Sequence, residues 1–581
     1  MVEAIEELRS GHGFSNYILD FLEKDKGLNG KDFSKLLEVM DLPDESFSQR
    51  RGRKGWLEGT LDEGDSVEIT EGRYHGKVAE FHDISSEQAL VRGRMQFSME
   101  YMIRLADLVA SPDGKLVSRA FSPEEKDKLR SAYEDFRTKD YAAVKIIEGR
   151  TKQDVVAANT WTIVRAAQLG IDPELLRGIN HFARTSDDVT ANVTGMLYMN
   201  AFGQFASSLA KLEGSLMKKA KDHISMTCIA RTHGQEAQLT TLGHVYANLA
   251  EQIRLHAEPF LQPRQFRLEG KMAGATGTDI DMRAALSGLD PRKMYNGIVE
   301  DVFGLRNVEL GNDQSLSHAA FARMLDGIQN VGLAITKSAT DTWIYASRHI
   351  LSKSTEKGES GSSAMPQKAN PFFAESAEAL FNIVGGMISP IKHNVVAYRE
   401  QGDLRRSITT REAFHPLMLA IIAVDRMNAE LGNYGPHIGG IENEVYRFGP
   451  QVVSSAIQTY LRARGVSDAY DRVKDIAMKP FVKPHEVSSY INGIVSDGKL
   501  SSDDGGRIIK MLHSVMDTKG LMAKLESASS AEETNDVLAE LKRVNSADGH
   551  RRALLGTTVR DTRRMIYNAG RAVELLKRYA A

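Results

Sequence analysis

Apolar residues recur at spacings of three and four positions over long stretches in the middle of the chain. The clearest stripes are Phe202, Phe205, Leu209, Leu212 and Leu216; Leu239, Leu242, Tyr246, Leu249 and Ile253; and Leu380, Ile383, Met387 and Ile391. This spacing places each stripe on one face of a helix, and helices with such stripes pack at small crossing angles. The pattern therefore predicts an all-α protein built around a long helical bundle.

The pattern changes towards both ends of the chain. The first 65 residues are polar and dotted with glycine, and helical periodicity begins near Ser85. Past about residue 480, short helices alternate with Ser/Asp/Gly turns, and the end of the chain is basic. We expect an N-terminal extension (1–65), an N-terminal domain (66–180), a central long-helix bundle (181–435), a C-terminal helical domain (436–530) and a basic helical tail (531–581). The breadth of the apolar stripes also predicts a homo-oligomer.

Composition narrows the possible partners and the compartment. The 581 residues include 74 Lys+Arg and 77 Asp+Glu, a net charge of −3, which gives no reason to expect a nucleic acid or a membrane as a partner. Cys228 is the sole cysteine, so no internal disulfide can form. No signal peptide or apolar stretch of 18 residues is present. We expect a cytoplasmic protein.

The segment from 361 to 371, Gly-Ser-Ser-Ala-Met-Pro-Gln-Lys-Ala-Asn-Pro, concentrates candidate chemistry in a short loop. Gly361 and Pro366 break regular helix or strand. Such a loop can close over an anion and present polar groups to it, although many lysine-bearing loops are inert. The groups it offers are Ser362, Ser363, Lys368 and Asn370.

Two further polar clusters have both a structural and a chemical interpretation. His233, in Arg-Thr-His-Gly-Gln before a helix expected near Glu236, titrates near neutrality and suits proton transfer, but a histidine at a helix start can also cap or pack. The run Thr185-Ser186-Asp187-Asp188 can cap the helix that follows it, and the same groups at a helix N-terminus can bind a carboxylate.

The loop at 361–371 closely resembles the signature loop of the fumarase/aspartase superfamily. Together with Thr185–Asp188 and Arg231–Gln235, it resembles the adenylosuccinate lyase family within that superfamily. The similarity extends from about residue 70 to about residue 480. Further matching segments are Gly72-Arg73-Tyr74, Thr151–Val155, the glycine-rich turn at 270–277, Gln314, and Asp403-Leu404 with Ser407 and Arg411.

The resemblance implies a helical homotetramer with active sites shared between subunits, a small-molecule substrate, and no cofactor. It implies that Ser362 is the general base and that His233 is the acid that protonates the leaving nitrogen. The substrate-binding residues that it implies are Arg73, Tyr74, Lys152, Gln153, Asp154, Thr185, Ser186, Thr232, Gln314, Ser363, Lys368, Asn370, Arg405, Arg406, Ser407 and Arg411. No metal-ligand spacing was found, so no metal is expected.

Three positions depart from the family pattern. Gln153 and Gln367 stand where histidines are usual, and glutamine cannot carry a proton or a charge. Gly402 stands where the family has a phosphate-binding arginine, and Arg405 or Arg406 would have to compensate.

The sequence thus favours a lyase that eliminates fumarate from adenylosuccinate, and from the related succinyl-carboxamide ribotide. Two alternatives remain open. One is a fumarate-releasing lyase with a non-nucleotide substrate, and the other is a non-catalytic helical scaffold.

Overall fold

A computed structural model describes most of the chain. The described residues are 2–42, 68–111, 116–261, 266–309, 312–354, 364–365, 367–479, 482, 484–516, 536 and 552–579. Ser362 and Ser363, the candidate base and its neighbour, lie outside this part of the chain.

The described residues are predominantly helical, as the apolar pattern predicts. The N-terminal helices are α1 (Val2–His12), α2 (Asn16–Asp20), α3 (Gly30–Asp41), α4 (His75–Val78), α5 (His82–Ser85), α6 (Glu87–Val109), α7 (Pro123–Glu134), α8 (Thr138–Thr151), α9 (Asp154–Gln168) and α10 (Pro173–Ile179). The central helices are α11 (Ser186–Asp222), α12 (Leu242–His256), α13 (Ile280–Ala285), α14 (Arg292–Asn296), α15 (Ala319–Ser347), α16 (Phe372–Val396), α17 (Arg405–Glu412) and α18 (Phe414–Asn433). The C-terminal helices are α19 (Ile438–Val452), α20 (Ser454–Ala463), α21 (Ala469–Ala477), α22 (Pro484–Ser496), α23 (Ser502–Met516) and α24 (Arg552–Leu576).

Short strands pair in three two-stranded ladders, and two π-helical and three 3-10 segments extend or join helices. The strands are β1 (Thr227–Thr232), β2 (Gln235–Thr241), β3 (Glu269–Gly270), β4 (Arg306–Asn307), β5 (Leu351–Lys353) and β6 (Tyr434–Pro436). The π-helical segments are Phe21–Asp25 and Gly297–Val302, and the 3-10 segments are Ala79–Phe81, Glu258–Phe260 and Lys577–Tyr579. β1–β2 and β5–β6 are antiparallel, whereas β3–β4 is parallel. None of the described helices is long and apolar enough to span a bilayer.

The predicted stripe on α11 is confirmed. Its five apolar side chains are fully buried in the main core, where each contributes about 1.5–3 kcal/mol relative to exposure. The helix packs against α12, α18 and α24, and α16 packs against α15 and α18. This set of long helices is the bundle that the spacing predicted.

The other two stripes are only partly correct. Leu242, Tyr246, Leu249 and Ile253 are buried on α12, but Leu239 belongs to strand β2. The helix expected near Glu236 begins instead at Leu242, because residues 235–241 pair with β1. On α16, Leu380 and Ile391 are buried, whereas Ile383 is 52 % exposed. Pro390 lies within α16, which continues to Val396.

The ends of the chain pack differently. The first helices belong to the main core, where Gln168 Nε2 donates to the His12 carbonyl at 2.8 Å and Arg150 Nε donates to Asp32. Helices α19 to α23 supply most of a second hydrophobic core. The basic terminal helix α24 packs along α11 and α12 and joins the central bundle.

Candidate active site

Asp188, in the first turn of α11, is fully buried and joins three backbone segments through its carboxylate. Oδ1 accepts hydrogen bonds from Lys271 Nζ at 2.9 Å and from the Ala273 amide at 3.0 Å. Oδ2 accepts from the Gly274 amide at 3.1 Å and from the Thr185 amide at 3.2 Å. Burial raises the pKa of this carboxyl, but the charge of Lys271 and these hydrogen bonds outweigh burial and lower it. Asp188 therefore stays ionised and fixes the glycine-rich turn against the helix.

Arg184 extends this buried network to α14. Its guanidinium lies 3.4 Å from Asp188, pairs with Asp279 and donates to the Tyr295 hydroxyl at 3.1 Å. Tyr295 in turn donates to Asp279 Oδ2 at 2.7 Å. The positive charges of Arg184 and Lys271 are balanced by the negative charges of Asp188 and Asp279. These ion pairs hold the backbone before α11 in place.

Gln314 reaches this region from the segment before α15. Its Nε2 atom lies 3.5 Å from Thr185 Oγ1, so the structure brings two predicted substrate-binding residues together. Gly402 packs against the same segment: a Cβ atom at this position would lie 2.7 Å from Ser315 Oγ and 2.8 Å from Gln314 Oε1. A larger residue at position 402 would therefore require the side chains of Gln314 and Ser315 to move.

Beside Gln314, four buried polar atoms have no hydrogen-bond partner among the described residues. They are Asp187 Oδ2, Ser315 Oγ, His318 Nε2 and Arg406 Nη1. Arg406 pairs with Asp187 through its other terminal nitrogen. Burial, together with the charge of Arg406, lowers the pKa of His318 to about 3, so its imidazole is neutral. Buried polar atoms are rarely left unpaired, so their concentration here indicates a place where a polar ligand binds.

A second cluster forms around Arg411 on α17. The guanidinium donates to Ser407 Oγ at 3.0 Å and to Asp154 Oδ2 at 3.2 Å, and it pairs with Glu87. Arg94 is almost fully buried and also donates to Asp154 Oδ2, at 2.8 Å. The structure thus joins Asp154, Ser407 and Arg411. Arg94 was not identified from the sequence, because the partner of this arginine, Asp154, is 60 residues away in the chain and meets it only in the folded protein.

Two other predicted residues precede Asp154. Gln153 is the N-cap of α9, where its side chain accepts a hydrogen bond from the Val156 amide. Lys152 ends α8 in the left-handed region at φ 55° and is exposed. In the structure, Gln153 therefore caps a helix. This role needs an oxygen that accepts a hydrogen bond, and it does not need a group that can transfer a proton.

Arg405 and Arg406, the candidates to compensate for the missing arginine, point to different partners. Arg405 donates to Asp403 Oδ2 at 2.6 Å and to the Ala397 carbonyl at 2.7 Å. Arg406 extends to Asp187 beside Gln314. Arg406 is therefore the better placed of the two for a ligand near Gln314.

A cavity of about 250 Å³ lies between the segment at 68–86 and helices α17 and α18. Arg411 is among its lining residues, and its acidic wall includes Glu68, which pairs with His415 at 3.2 Å. Nearby, Tyr74 is buried with the Arg426 guanidinium 5.1 Å from its ring centroid, whereas Arg73 is exposed.

The His233 segment forms the tip of the β1–β2 hairpin. His233 and Gly234 have φ of 53° and 77° and make the two-residue turn between strands. Turns of this kind need positive φ at both positions, which explains the glycine. Thr232 and His233 are exposed. A His-Gly pair between two short segments that contain threonine is the sequence signal that would have predicted this hairpin.

Lys368 and Asn370 lie directly before α16. The Lys368 amide donates to the Met365 carbonyl at 3.1 Å, its side chain is exposed, and Asn370 is half-buried. Among the described residues, no hydrogen bond or ion pair joins Lys368 to His233, or either of them to Gln314. Hydrogen bonds in the described part of the chain join the predicted site residues into two groups, Thr185 with Gln314, and Asp154 and Ser407 with Arg411.

Comparison with known proteins gives a consistent assignment. Residues 72–385 match the family model described as lyase. The chain is 25% identical to adenylosuccinate lyase from Dictyostelium discoideum over 71% of its length and 87% of the relative. It is 24% identical to adenylosuccinate lyase from Escherichia coli strain K12 over 74% of its length and 92% of the relative.

Solved structures share the fold at lower identity. Fumarate lyase from Mesorhizobium sp. BNC1 aligns with a TM-score of 0.58 at 13% identity, covering 79% of this chain and 97% of that one. The 3-carboxy-cis,cis-muconate lactonizing enzyme from Pseudomonas putida aligns with a TM-score of 0.56 at 16% identity, covering 87% and 98%. These likenesses establish the fold and leave the substrate open.

The buried Asp188 network yields a stability prediction. Asp188→Asn removes the charge that neutralises Lys271 and Arg184, and breaking such a buried pair costs about 3–5 kcal/mol. Denaturant unfolding should show a loss of this size. The matched control is Asp222→Asn at the exposed end of the same helix, where Asp222 forms an exposed ion pair with Lys218, and it should change stability little. Equal losses in both variants would contradict the assignment.

Proposed function

Because the chain belongs to the lyase family, as a divergent member of the fumarase/aspartase superfamily similar to adenylosuccinate lyase, we propose that it eliminates fumarate from a succinyl-amine. The substrate proposed is adenylosuccinate, which yields AMP and fumarate, together with the related succinyl-carboxamide ribotide. The proposal includes a cytoplasmic location and a homotetramer. It requires no cofactor for the elimination step.

The reaction needs a base, an anion-binding site and an acid. The base removes the proton from the carbon next to a succinyl carboxylate, and the electron pair moves onto that carboxylate, which then carries an additional negative charge. The pair returns to form the carbon–carbon double bond as the carbon–nitrogen bond breaks, and an acid protonates the nitrogen. Hydrogen-bond donors and cations that hold the charged intermediate lower the barrier.

In the proposed site, Ser362 is the base and His233 is the acid. Lys368 and Asn370 hold the succinyl carboxylates with Ser363, since a lysine ammonium and an amide N–H both favour a carboxylate. Thr232 lies next to His233 on the hairpin. The exposure of His233 and Lys368 leaves both able to meet a substrate.

The observation that carries the proposal is the set of buried polar atoms beside Gln314 that have no hydrogen-bond partner among the described residues. Asp187, Ser315, His318 and Arg406 supply an acceptor, a hydroxyl, an imidazole and a guanidinium around a residue that contacts Thr185. Such a mixture suits a ligand with both donors and acceptors, as a purine ribotide has. Ser186 opens α11 at the same place, where the helix N-terminus favours an anionic group.

We propose that the cluster around Arg411 binds the phosphate of the substrate. The exposed side chain of Arg73 is a second candidate phosphate ligand. Ser407 and Arg411 already contact each other, and Asp154 and Glu87 raise the pKa of Arg411 against the opposing effect of burial. Its guanidinium therefore remains charged. Arg406, on the same helix, is the residue we propose in place of the missing arginine.

We propose that the active sites are shared between subunits. Among the described residues, no hydrogen bond or ion pair joins His233 on the hairpin tip to Lys368. Helices α15 and α16 also expose large apolar side chains, with Leu333 at 59%, Trp343 at 47% and Ile383 at 52% exposure. We propose that these faces pack against other subunits, which bring the separate parts together.

A second candidate is a lyase of the same superfamily with a non-nucleotide leaving group. Two observations favour it. Gly402 packs closely against Gln314 and Ser315 where the resemblance implies a phosphate-binding arginine, and Gln153 caps a helix where it implies a histidine. The two candidates differ in whether the intact protein binds AMP and releases fumarate from adenylosuccinate.

Ser362→Ala should lower the turnover of adenylosuccinate by about 10²–10⁴-fold, since it removes the proposed base. The readout is fumarate release under saturating substrate, with AMP binding measured on the same sample. Ser363→Ala is the matched neighbour and should raise KM with a smaller effect on kcat. Near-normal kcat for Ser362→Ala with a large loss for Ser363→Ala would transfer the base role to Ser363.

His233→Gln should also lower kcat by about 10²–10⁴-fold, because glutamine keeps hydrogen bonding but cannot transfer the proton.

If sites are shared, mixing equal amounts of inactive His233→Gln and Ser362→Ala subunits should restore activity in about a quarter of the sites, because such a site receives its histidine from one variant and its serine from the other. Mixed oligomers that stay inactive would contradict shared sites. A change in KM alone for His233→Gln would make it a binding residue.

Arg406→Ala should weaken AMP binding at least tenfold, because phosphate and purine contacts are proposed to depend on its side chain. Calorimetry on the intact protein gives the reference affinity. Arg292→Ala is the matched control, since Arg292 is an exposed arginine that pairs with Asp290 and is not part of the proposed site. If the intact protein binds no AMP, the nucleotide substrate is wrong and the non-nucleotide lyase takes its place.

A further inference from the structure

Three potential metal ligands converge on the segment that follows residue 68. They are Glu71 and the two histidines of short helices α4 and α5, His75 and His82. His75 Nδ1 lies 3.8 Å from Glu71 Oε2, His82 Nε2 lies 3.9 Å from the same oxygen, and the two nitrogens are 3.5 Å apart. Each distance involves the same three atoms, so they form a nearly regular triangle.

The size of this triangle fits a metal ion. The point in the plane of the three atoms that is equidistant from them lies about 2.2 Å from each, and an ion above that plane, as in a tetrahedron with edges of this length, lies about 2.3 Å from each. Zinc binds histidine nitrogen and carboxylate oxygen at about 2.0–2.2 Å, so the three atoms need to approach one another by about 0.3 Å. Tetrahedral ligands at such bond lengths are about 3.4 Å apart, whereas adjacent octahedral ligands are about 2.9 Å apart. The observed separations are at or above the tetrahedral value, so a tetrahedral ion fits better than an octahedral one.

We propose that Glu71, His75 and His82 form a zinc site. Two imidazoles and one carboxylate are a zinc ligand set that leaves a fourth position open. The residues span one turn and two short helices, and a bound ion would fix these elements relative to one another. The proposed elimination does not require this site, so a test of zinc binding can fail without contradicting the proposed reaction.

The fourth position of the ion is reached from the cavity beside α17. Glu71 and His82 line this cavity, as do Arg411 and His415. The side chains of His75 and His82 are 25% and 30% exposed, so an ion can enter from solvent without unfolding the segment. A water molecule or another oxygen ligand from the cavity would complete the tetrahedron.

The test uses the full-length, untagged protein stripped with a chelator, because a histidine tag would bind zinc itself. Competition with a chromophoric chelator should give one zinc ion per chain. Cobalt(II) substituted at the site should give the intense visible absorption of a tetrahedral ion. His75→Ala and His82→Ala should each weaken zinc binding by at least about 10²-fold, since each removes a direct ligand.

His256→Ala is the matched control, because His256 is an exposed histidine at the end of α12, and it should bind zinc as the parent does. Circular dichroism and gel filtration show whether each variant keeps its fold. Should an alanine variant unfold, Glu71→Gln and His82→Gln keep the size and hydrogen bonding of the side chains and must still lose zinc. The proposal is overturned if the parent binds no zinc at micromolar concentrations, or if folded His75 and His82 variants retain it.

Discussion

The ionised carboxylate of Asp188 is the interaction on which the candidate site depends. It holds the first turn of the longest described helix to the glycine-rich turn through a lysine ammonium and two backbone amides. A charge of this kind is tolerated in a dry interior only because Lys271 and Arg184 neutralise it and every oxygen accepts hydrogen bonds. The N-terminus of α11 is thereby fixed in place, and Thr185 and Asp187 with it.

A rigid support of this kind allows neighbouring polar groups to remain unpaired. Asp187, Ser315 and His318 are buried near Arg406 without full hydrogen bonding, a state that costs free energy in the absence of a ligand. Packing and ion pairs around them hold these groups in position, so a substrate that supplies their missing partners meets a pre-organised site. His233 and Lys368 form no hydrogen bond or ion pair with this group in the described part of the chain, and we propose that several subunits complete the site.

The departures from the family pattern have local structural causes. Gly402 is in close contact with Gln314 and Ser315, so a larger residue at this position would have to move the side chain that reaches Thr185. We propose that Arg406 and Arg411 on α17 supply the positive charge instead. Gln153 has become the cap of α9, a role that needs an acceptor oxygen and no charge.

The sequence by itself determined the helical bundle, because the burial of side chains such as Leu209 follows from a periodicity that is local to each helix. The prediction that the loop at 361–371 carries the chemistry also comes from the sequence alone, since the order of its residues needs no tertiary information to be recognised. The sequence could not place the β1–β2 hairpin, because the residues around Leu239 have helical spacing and pair as a strand only once His233 and Gly234 adopt positive φ. Nor could it show that His75 and His82 meet Glu71, or that Gly402 touches Gln314. Those contacts join residues whose distance is set by how short elements pack in three dimensions, and only the tertiary structure decides that.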